Sequence, residues 1–335
     1  MIREIKVSDH PDKLNADWDK LSKWYYQKKE FLAFLHIYNH CNQQYYELYK
    51  DNVFVAATIV YSFKTNMLTF SSLNLFVNMK IIGLPISIAT VPIIGDEEEY
   101  EFLLSEILNH EKGLILGLNF TANYLQNQVV NMNTLPTIVI DRRFENYDEY
   151  LKALRHPYRR RLLHLTEKFR QVRSEVTSCK SFTDFHYKLY LNVLKKSTTK
   201  LETLSFLLFI NLPENFILTT HYIDNTMLAW NICNHDMQTT FFFMGGLNYE
   251  FRDFYQSYFN NMTAVLKSGF ERHSIRFDLG QTADVAKMRM GGVESERFMF
   301  LYHKNKIILF IIRCCKRLFE YSKVQRKHHV FKKKV

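Results

Sequence analysis

The sequence is poor in the residues that build covalent and metal frameworks. Its 335 residues hold five cysteines, Cys41, Cys179, Cys233, Cys314 and Cys315, an odd number with no CxxC pair. That pattern predicts reduced thiols in a cytosolic setting, without a disulfide scaffold or a cysteine zinc site. The thirteen histidines contain no HExxH and no paired metal spacing, so no metal centre is expected. The apolar block Ile307 to Ile312 is far short of the ~20 residues that cross a bilayer. The start, Met1-Ile2-Arg3-Glu4-Ile5, has no apolar leader core, and secretion is not expected. Glycine (ten) and proline (six) are scarce while 47% of residues are hydrophobic, which predicts full cores and argues against disorder.

What the sequence does contain is an internal echo. Glu4-Ile5-Lys6-Val7 returns as Glu175-Val176-Thr177-Ser178, an offset of 171 (175 minus 4). Tyr49 to Ala56 returns as Tyr222 to Ala229, offset 173 (222 minus 49), and Leu118 to Asn123 as Leu279 to Asp284, offset 161 (279 minus 118). The drop falls where the first copy carries an extra piece, Met79 to Gly95. Such a period is far longer than the roughly 20–50 residues of a solenoid unit. It predicts a duplicated domain.

Charge is concentrated at one end. Residues 303–335 hold eleven Lys or Arg against one acid, Glu320, which accounts for the whole net charge of +10. The remaining chain is neutral, so the basic character belongs to the C-terminal segment. That segment reads as a flexible solubilising tail, a buried strand, or an amphipathic element drawn to an anionic membrane or to RNA; Lys332-Lys333-Lys334 would strengthen either attraction.

The two copies predict one order of elements: strand, two helices, three-strand meander, helix, strand, helical segment, last strand. Asp51-Asn52 and Asp224-Asn225, each between apolar runs, have hairpin-turn chemistry. The last strands are placed at Thr137–Asp141 and Phe298–Tyr302, and one long helix over residues 147–172 joins the copies. The expected class is α/β (α+β), two tandem domains, each a mixed, mainly antiparallel sheet flanked by helices. The expected boundaries are 1–145, a linking helix 146–172, a second domain 173–305 and a tail 306–335.

This order resembles the acyltransferase fold of the Gcn5-related N-acetyltransferases, and its doubling resembles the FemAB-like aminoacyltransferases of peptidoglycan biosynthesis. The likeness rests on Tyr150-Leu151, Arg155-His156-Pro157-Tyr158-Arg159-Arg160-Arg161, Lys196-Ser197 with Glu202, and Ile82-Gly83-Leu84-Pro85. Its most specific part is Phe277-Asp278-Leu279-Gly280-Gln281-Thr282 followed by Lys287 and Gly291. The resemblance implies an N-acyltransferase moving an acyl or aminoacyl group onto an amine of a cell-envelope precursor. The co-substrate would be acyl-coenzyme A or aminoacyl-tRNA, with no metal. Partners would be the precursor, a tRNA for one donor type, and a membrane surface contacted from the cytoplasm through the basic tail. The rival is a non-catalytic ligand- or RNA-binding protein on the same doubled fold.

Candidate residues follow, each with a plain structural alternative. Asp278 orients or deprotonates an amine, or caps the next helical segment. Gln281 bonds an amide. Lys287 neutralises an oxyanion or is a solvated lysine; its counterpart by offset 161 is Gln126, which points to the second copy as the working half. Glu202 acts in a cleft, or simply favours a first helical turn. Tyr255 donates a proton to a leaving group, or packs. Arg155 and Arg159 share a helix face and grip a phosphate, or are solvated. Gly245-Gly246 is the one echo of a coenzyme A loop, without that loop's full spacing.

Overall fold

A computed structural model describes residues 2–86, 88–141, 144–199, 202–322 and 328–332. Its first stretch carries β1 (Arg3–Ser8), α1 (Trp18–Leu21), α2 (Lys29–Tyr38), β2 (Asn42–Lys50), β3 (Val53–Asn66), β4 (Phe76–Ile82), β5 (Ile93–Gly95), α3 (Tyr100–His110), β6 (Leu114–Phe120) and β7 (Val130–Asn133). The second carries β8 (Thr137–Asp141), α4 (Tyr147–Ala153), α5 (His156–Glu167), β9 (Arg173–Ser178), α6 (Asp184–Lys196), α7 (Phe206–Ile210), β10 (Phe216–Ile223), β11 (Thr226–Asp236) and β12 (Thr239–Leu247). It continues with α8 (Arg252–Tyr255), α9 (Ser257–Glu271), β13 (Arg276–Asp278), α10 (Asp284–Met288) and β14 (Val293–Ser295). The chain closes with β15 (Phe298–His303), α11 (Lys306–Cys314) and α12 (Lys316–Phe319).

These elements form two compact units. The first takes residues 1–135, 199–204 and 296–323, and the second residues 136–198, 205–295 and 324–335. Each unit is a mixed sheet flanked by helices. The order is β1-β2-β3-β4-β6-β15-β7 in the first, with β5 also on β3, and β14-β8-β13-β12-β11-β10-β9 in the second. In each, antiparallel hairpins lead to one parallel pair, β4 with β6 and β12 with β13. A parallel pair needs a crossover, supplied by α3 and by α9. The hairpin turns use the left-handed region that Asp and Asn tolerate: φ is 48° at Asp51, 67° at Asn52 and 49° at Asp224. The duplication is exact enough that Asn119 (φ 66°) and Gly280 (φ 71°), 161 residues apart, share a left-handed kink.

The last strands do not stay with their own copies. β8 lies between β13 and β14 in the second unit, and β15 between β6 and β7 in the first. Both are apolar and buried, so each must be paired on both edges. Either slot satisfies that demand, and sequence pattern does not say which sheet provides it. The unit limits therefore fall elsewhere than 145/146, 172/173 and 305/306.

Alternation sorts the first unit's core. Ile82, Ile115 and Phe300 face α3, with Leu103, Leu104 and Ile107. Met79, Ile81, Leu116, Met299 and Leu301 face the other way and meet Ile312 of α11 and Phe319 of α12. The second unit packs α9 (Met262, Val265, Leu266, Phe270) on Ile140, Phe277 and Leu279. Its opposite face carries Trp230 ringed by Phe182, His186 and Phe209.

Several local expectations are corrected. The helix expected over 147–172 is broken between Ala153 and His156: Pro157 sits at the start of α5, and Leu154 before it is extended (ψ 141°). The third strand of the first meander begins only at Phe76, after a turn over residues 67–75. The first of the two helices in copy one is only the short α1, flanked by 3-10 turns at Pro11–Lys13 and Tyr25–Gln27. The described part of the C-terminal segment is packed rather than loose. Besides α11 and α12, Val330 is buried in the second unit's core and Phe331 bridges Leu154. Of the residues singled out in the sequence, Lys333-Lys334 lie outside the described residues.

Candidate active site

The second unit opens a wedge in its own sheet. β12 and β13 pair in parallel for three residues only, ending at Phe241 opposite Asp278. Beyond that point Leu279 and Gly280 bond Ile138 of β8, at 2.8 Å (Leu279 N–H to its carbonyl) and 3.2 Å (its N–H to the Gly280 carbonyl). β12 meanwhile runs six residues further, to Leu247, paired with β11 alone. Phe243 is the extra residue of a β-bulge there, which bends the strand. A strand in this position turns alternate N–H and C=O groups to its open side, where an extended acyl donor can pair with them.

Three of the expected residues gather at the wedge mouth. Asp278 Oδ1 accepts from Thr137 Oγ1 (2.5 Å) and from the Gly280 N–H (2.9 Å), while Oδ2 takes no hydrogen bond from the described residues. Thr137 comes from the exchanged strand β8, and nothing in its own surroundings in sequence signals that role. Lys287 is 2% exposed; its Nζ donates to the carbonyls of Gly280 (3.1 Å) and Gln281 (2.7 Å) and lies 5.9 Å from the centre of the Phe242 ring. Burial drives its pKa down to about 7, against the opposing pull of Asp278 and Asp284. A solvated surface lysine is thereby excluded. The loop that Lys287 holds is strained: Gly280, Thr282 and Ala283 all have positive φ (71°, 62° and 52°), a conformation that a β-branched residue rarely adopts.

The first unit has the same parallel pair, β4 on β6, but its wedge is filled. β4 ends at Ile82, and residues 83–86 and 88–92 occupy the space before β5 joins β3. That segment is fastened by Asn119, the counterpart of Gly280, whose Nδ2 donates to the Ile88 carbonyl (3.0 Å), and by Arg297 Nε to the Ala89 carbonyl (3.0 Å). Gln126, the counterpart of Lys287, is exposed.

The remaining expected residues do not join that group. Glu202 belongs to the first unit, where Oε2 accepts a long bond from Asn39 (3.5 Å). Burial raises its carboxyl to about 7. Asn39 and Cys41 beside it also line a polar groove of about 650 Å³ with His36, Gln44, Ser62 and Lys80. Gly245 and Gly246 are inside β12 rather than in a phosphate loop. A Cβ on Gly246 would lie 2.1 Å from Trp230 Nε1, so its glycine is required by packing. Tyr255 ends α8, ringed by Phe251 and Phe254.

Arg155 caps α5 and ties down the C-terminal segment, its N–H to the Val330 carbonyl (2.8 Å) and Nη1 to that of His329 (3.4 Å). Arg159 is half-buried one turn on. Arg161, 5.1 Å from the Phe259 ring centre, is lowered by burial and by neighbouring Arg289; neither arginine pairs with a described carboxylate. Arg289 went unnoticed in the sequence because nothing local marks it. Among the described residues no cluster of metal-ligating side chains occurs.

No protein-family model matches the sequence, and no curated protein does. Solved structures do match, and what they share with this chain is the fold, two tandem GNAT-like units. L-PGS from Bacillus licheniformis is similar at 10% identity over 86% of this chain and 91% of that one, with a TM-score of 0.52. FemX is similar at 11% identity over 89% and 92%, TM-score 0.50. A tandem GNAT protein of the clavulanic acid biosynthesis pathway is similar at 8% identity over 89% and 98%, TM-score 0.50.

Proposed function

We propose that the protein transfers an acyl or aminoacyl group onto an amine of a cell-envelope precursor, with the chemistry in the second unit. The observation that carries this reading is the open run of β12 beyond Phe241, with Asp278 and Lys287 at its mouth, beside a first unit whose equivalent wedge is filled. The donor lies along residues 242–247, meeting backbone groups that include those of Gly245 and Gly246. The acceptor amine attacks the acyl carbon, and the carbon–sulfur bond of a thioester or the carbon–oxygen bond of an aminoacyl ester breaks. The amine's proton passes to Asp278 Oδ2 and on through solvent to the departing sulfur or oxygen, so no side chain ends the cycle with a changed charge.

Two of the three Lys287 N–H donors are engaged by loop carbonyls. The third faces the developing oxyanion, a contact that strengthens as charge forms. Gln281 orients the amide of the acceptor. Arg159, Arg161 and Arg289 meet a phosphate of donor or acceptor, and Arg155 holds the C-terminal segment beside them.

Calorimetric titration with acetyl-coenzyme A, and separately with charged and uncharged tRNA, tests the reading, followed by mass spectrometry of candidate amines. Saturable binding of acetyl-coenzyme A, or preference for charged over uncharged tRNA, is expected, with acyl transfer from whichever donor binds. A folded protein that binds neither donor contradicts it.

A further inference from the structure

Helix α11 is apolar on the wrong side for a soluble fold. Its inward face is used: Ile312 is buried, with Leu309 and Cys315 against the same core. The opposite face carries Ile307, Phe310 and Ile311, exposed by 70%, 64% and 54%, and then the exposed thiol of Cys314. Positions 307, 310, 311 and 314 follow the i, i+3, i+4, i+7 spacing of one helix stripe, and Leu318 of α12 prolongs it. Core packing does not account for this stripe.

The charges around it are predominantly positive. Lys306, Arg313, Lys316 and Arg317 flank the stripe, and the one acid of residues 303–335, Glu320, is paired with Lys316 at 3.7 Å. The turn between β3 and β4 adds exposed Leu73 and Phe76 in the same unit, and it reaches this segment through Phe70 against the Tyr321 ring (5.8 Å). An apolar stripe bordered by cations matches a surface of acyl chains beneath anionic headgroups. No helix among the described residues is long and apolar enough to cross a membrane, so the contact is one of lying on the surface.

We propose that α11 and α12 dock the protein on an anionic phospholipid surface, with Ile307, Phe310 and Ile311 inserted at the headgroup boundary and the four cations on the phosphates. This site is independent of acyl transfer and stands or falls separately from it. Flotation of the full chain with phosphatidylglycerol-containing vesicles, against pure phosphatidylcholine vesicles, is the test.

Binding to the anionic vesicles alone, weakened by salt, is expected. Phe310→Glu with Ile311→Glu should weaken it at least ~10-fold, since each exposed side chain gains roughly 1.5 kcal/mol or more on burial. Arg313→Glu with Arg317→Glu should weaken it comparably while leaving the thermal midpoint near that of the parent. A fluorophore on Cys314 should shift to the blue when anionic vesicles are added. No flotation, equal flotation with both lipids, or a dimer in sedimentation that the Phe310→Glu, Ile311→Glu variant dissolves would overturn the proposal. The last result would assign the stripe to a second copy of the chain.

Discussion

Replacing Lys287 by methionine is expected to lower acyl transfer by about 10²–10³-fold while leaving the protein folded, the range seen when one oxyanion donor is removed. Methionine keeps the buried volume and removes the donors. Folding loses two hydrogen bonds to loop carbonyls and is relieved of a buried cation, and these effects oppose each other. A pH signature separates the catalytic role from a merely structural one. Burial holds Lys287 at about 7 instead of the ordinary 10.5. Between those values the unfolded chain binds a proton that the folded chain does not, so stability rises with pH across that window. Lys287→Met should flatten that rise. In the parent, activity should fall as pH rises through about 7 and the ammonium is lost. Full turnover in Lys287→Met would remove this residue from the mechanism.

Acid should unfold the second unit. His186, His221 and His235 all lie in it, and burial lowers each from the ordinary 6.5 to about 4. His186 Nδ1 accepts the Thr183 N–H (3.1 Å) and Nε2 meets Thr220 Oγ1 (2.9 Å), an arrangement that a proton on Nδ1 breaks. His221 bonds Ser174 Oγ (2.8 Å) and His235 bonds Thr240 Oγ1 (3.0 Å). As pH falls from 6.5 to 4 the unfolded chain takes up these protons and the folded chain does not. Each histidine then opposes folding by up to about 3 kcal/mol, and three together approach the roughly 5–15 kcal/mol that holds a domain.

Glu202 acts in the opposite sense in the first unit. Its carboxyl is raised to about 7, so the folded chain keeps a proton that the unfolded chain loses above 4.5, and this term favours folding as pH falls to 4.5. Trp230, packed on His186, reports the second unit's transition. Its fluorescence, followed in a variant lacking Trp18 and Trp24, should change cooperatively between pH 6.5 and 4. His186→Gln should move the midpoint to lower pH. An unchanged Trp230 signal down to pH 4 would contradict the burial argument.

Much of this was legible in the residues. The Asp-Asn turns, the paired first strands and the gathering of Asp278, Gln281 and Lys287 depend on local chemistry, which sequence carries directly. The Gln126-for-Lys287 difference between the copies was legible before the fastened segment of the first unit was. What was hidden is non-local. The exchange of β8 and β15 turns on which of two equivalent slots an apolar strand fills, and with it came Thr137 as the partner of Asp278. Glu202 went to the first unit because its segment crosses over, a matter of path rather than pattern. For the C-terminal segment the sequence left a flexible tail, a buried strand and an amphipathic element open, because its lysines outnumber its apolar residues; in the described part, Ile312, Phe319 and Val330 are buried and fasten it.

Hydrogen exchange of the Phe242–Leu247 amides, with and without acetyl-coenzyme A or charged tRNA, tests the central claim most directly. That claim is that the open run of β12 receives the acyl donor. Slowed exchange in this stretch with one of the two donors, and none in residues 83–92 of the first unit, is the predicted result. Protection confined to residues 83–92, or none anywhere with either donor, would contradict it.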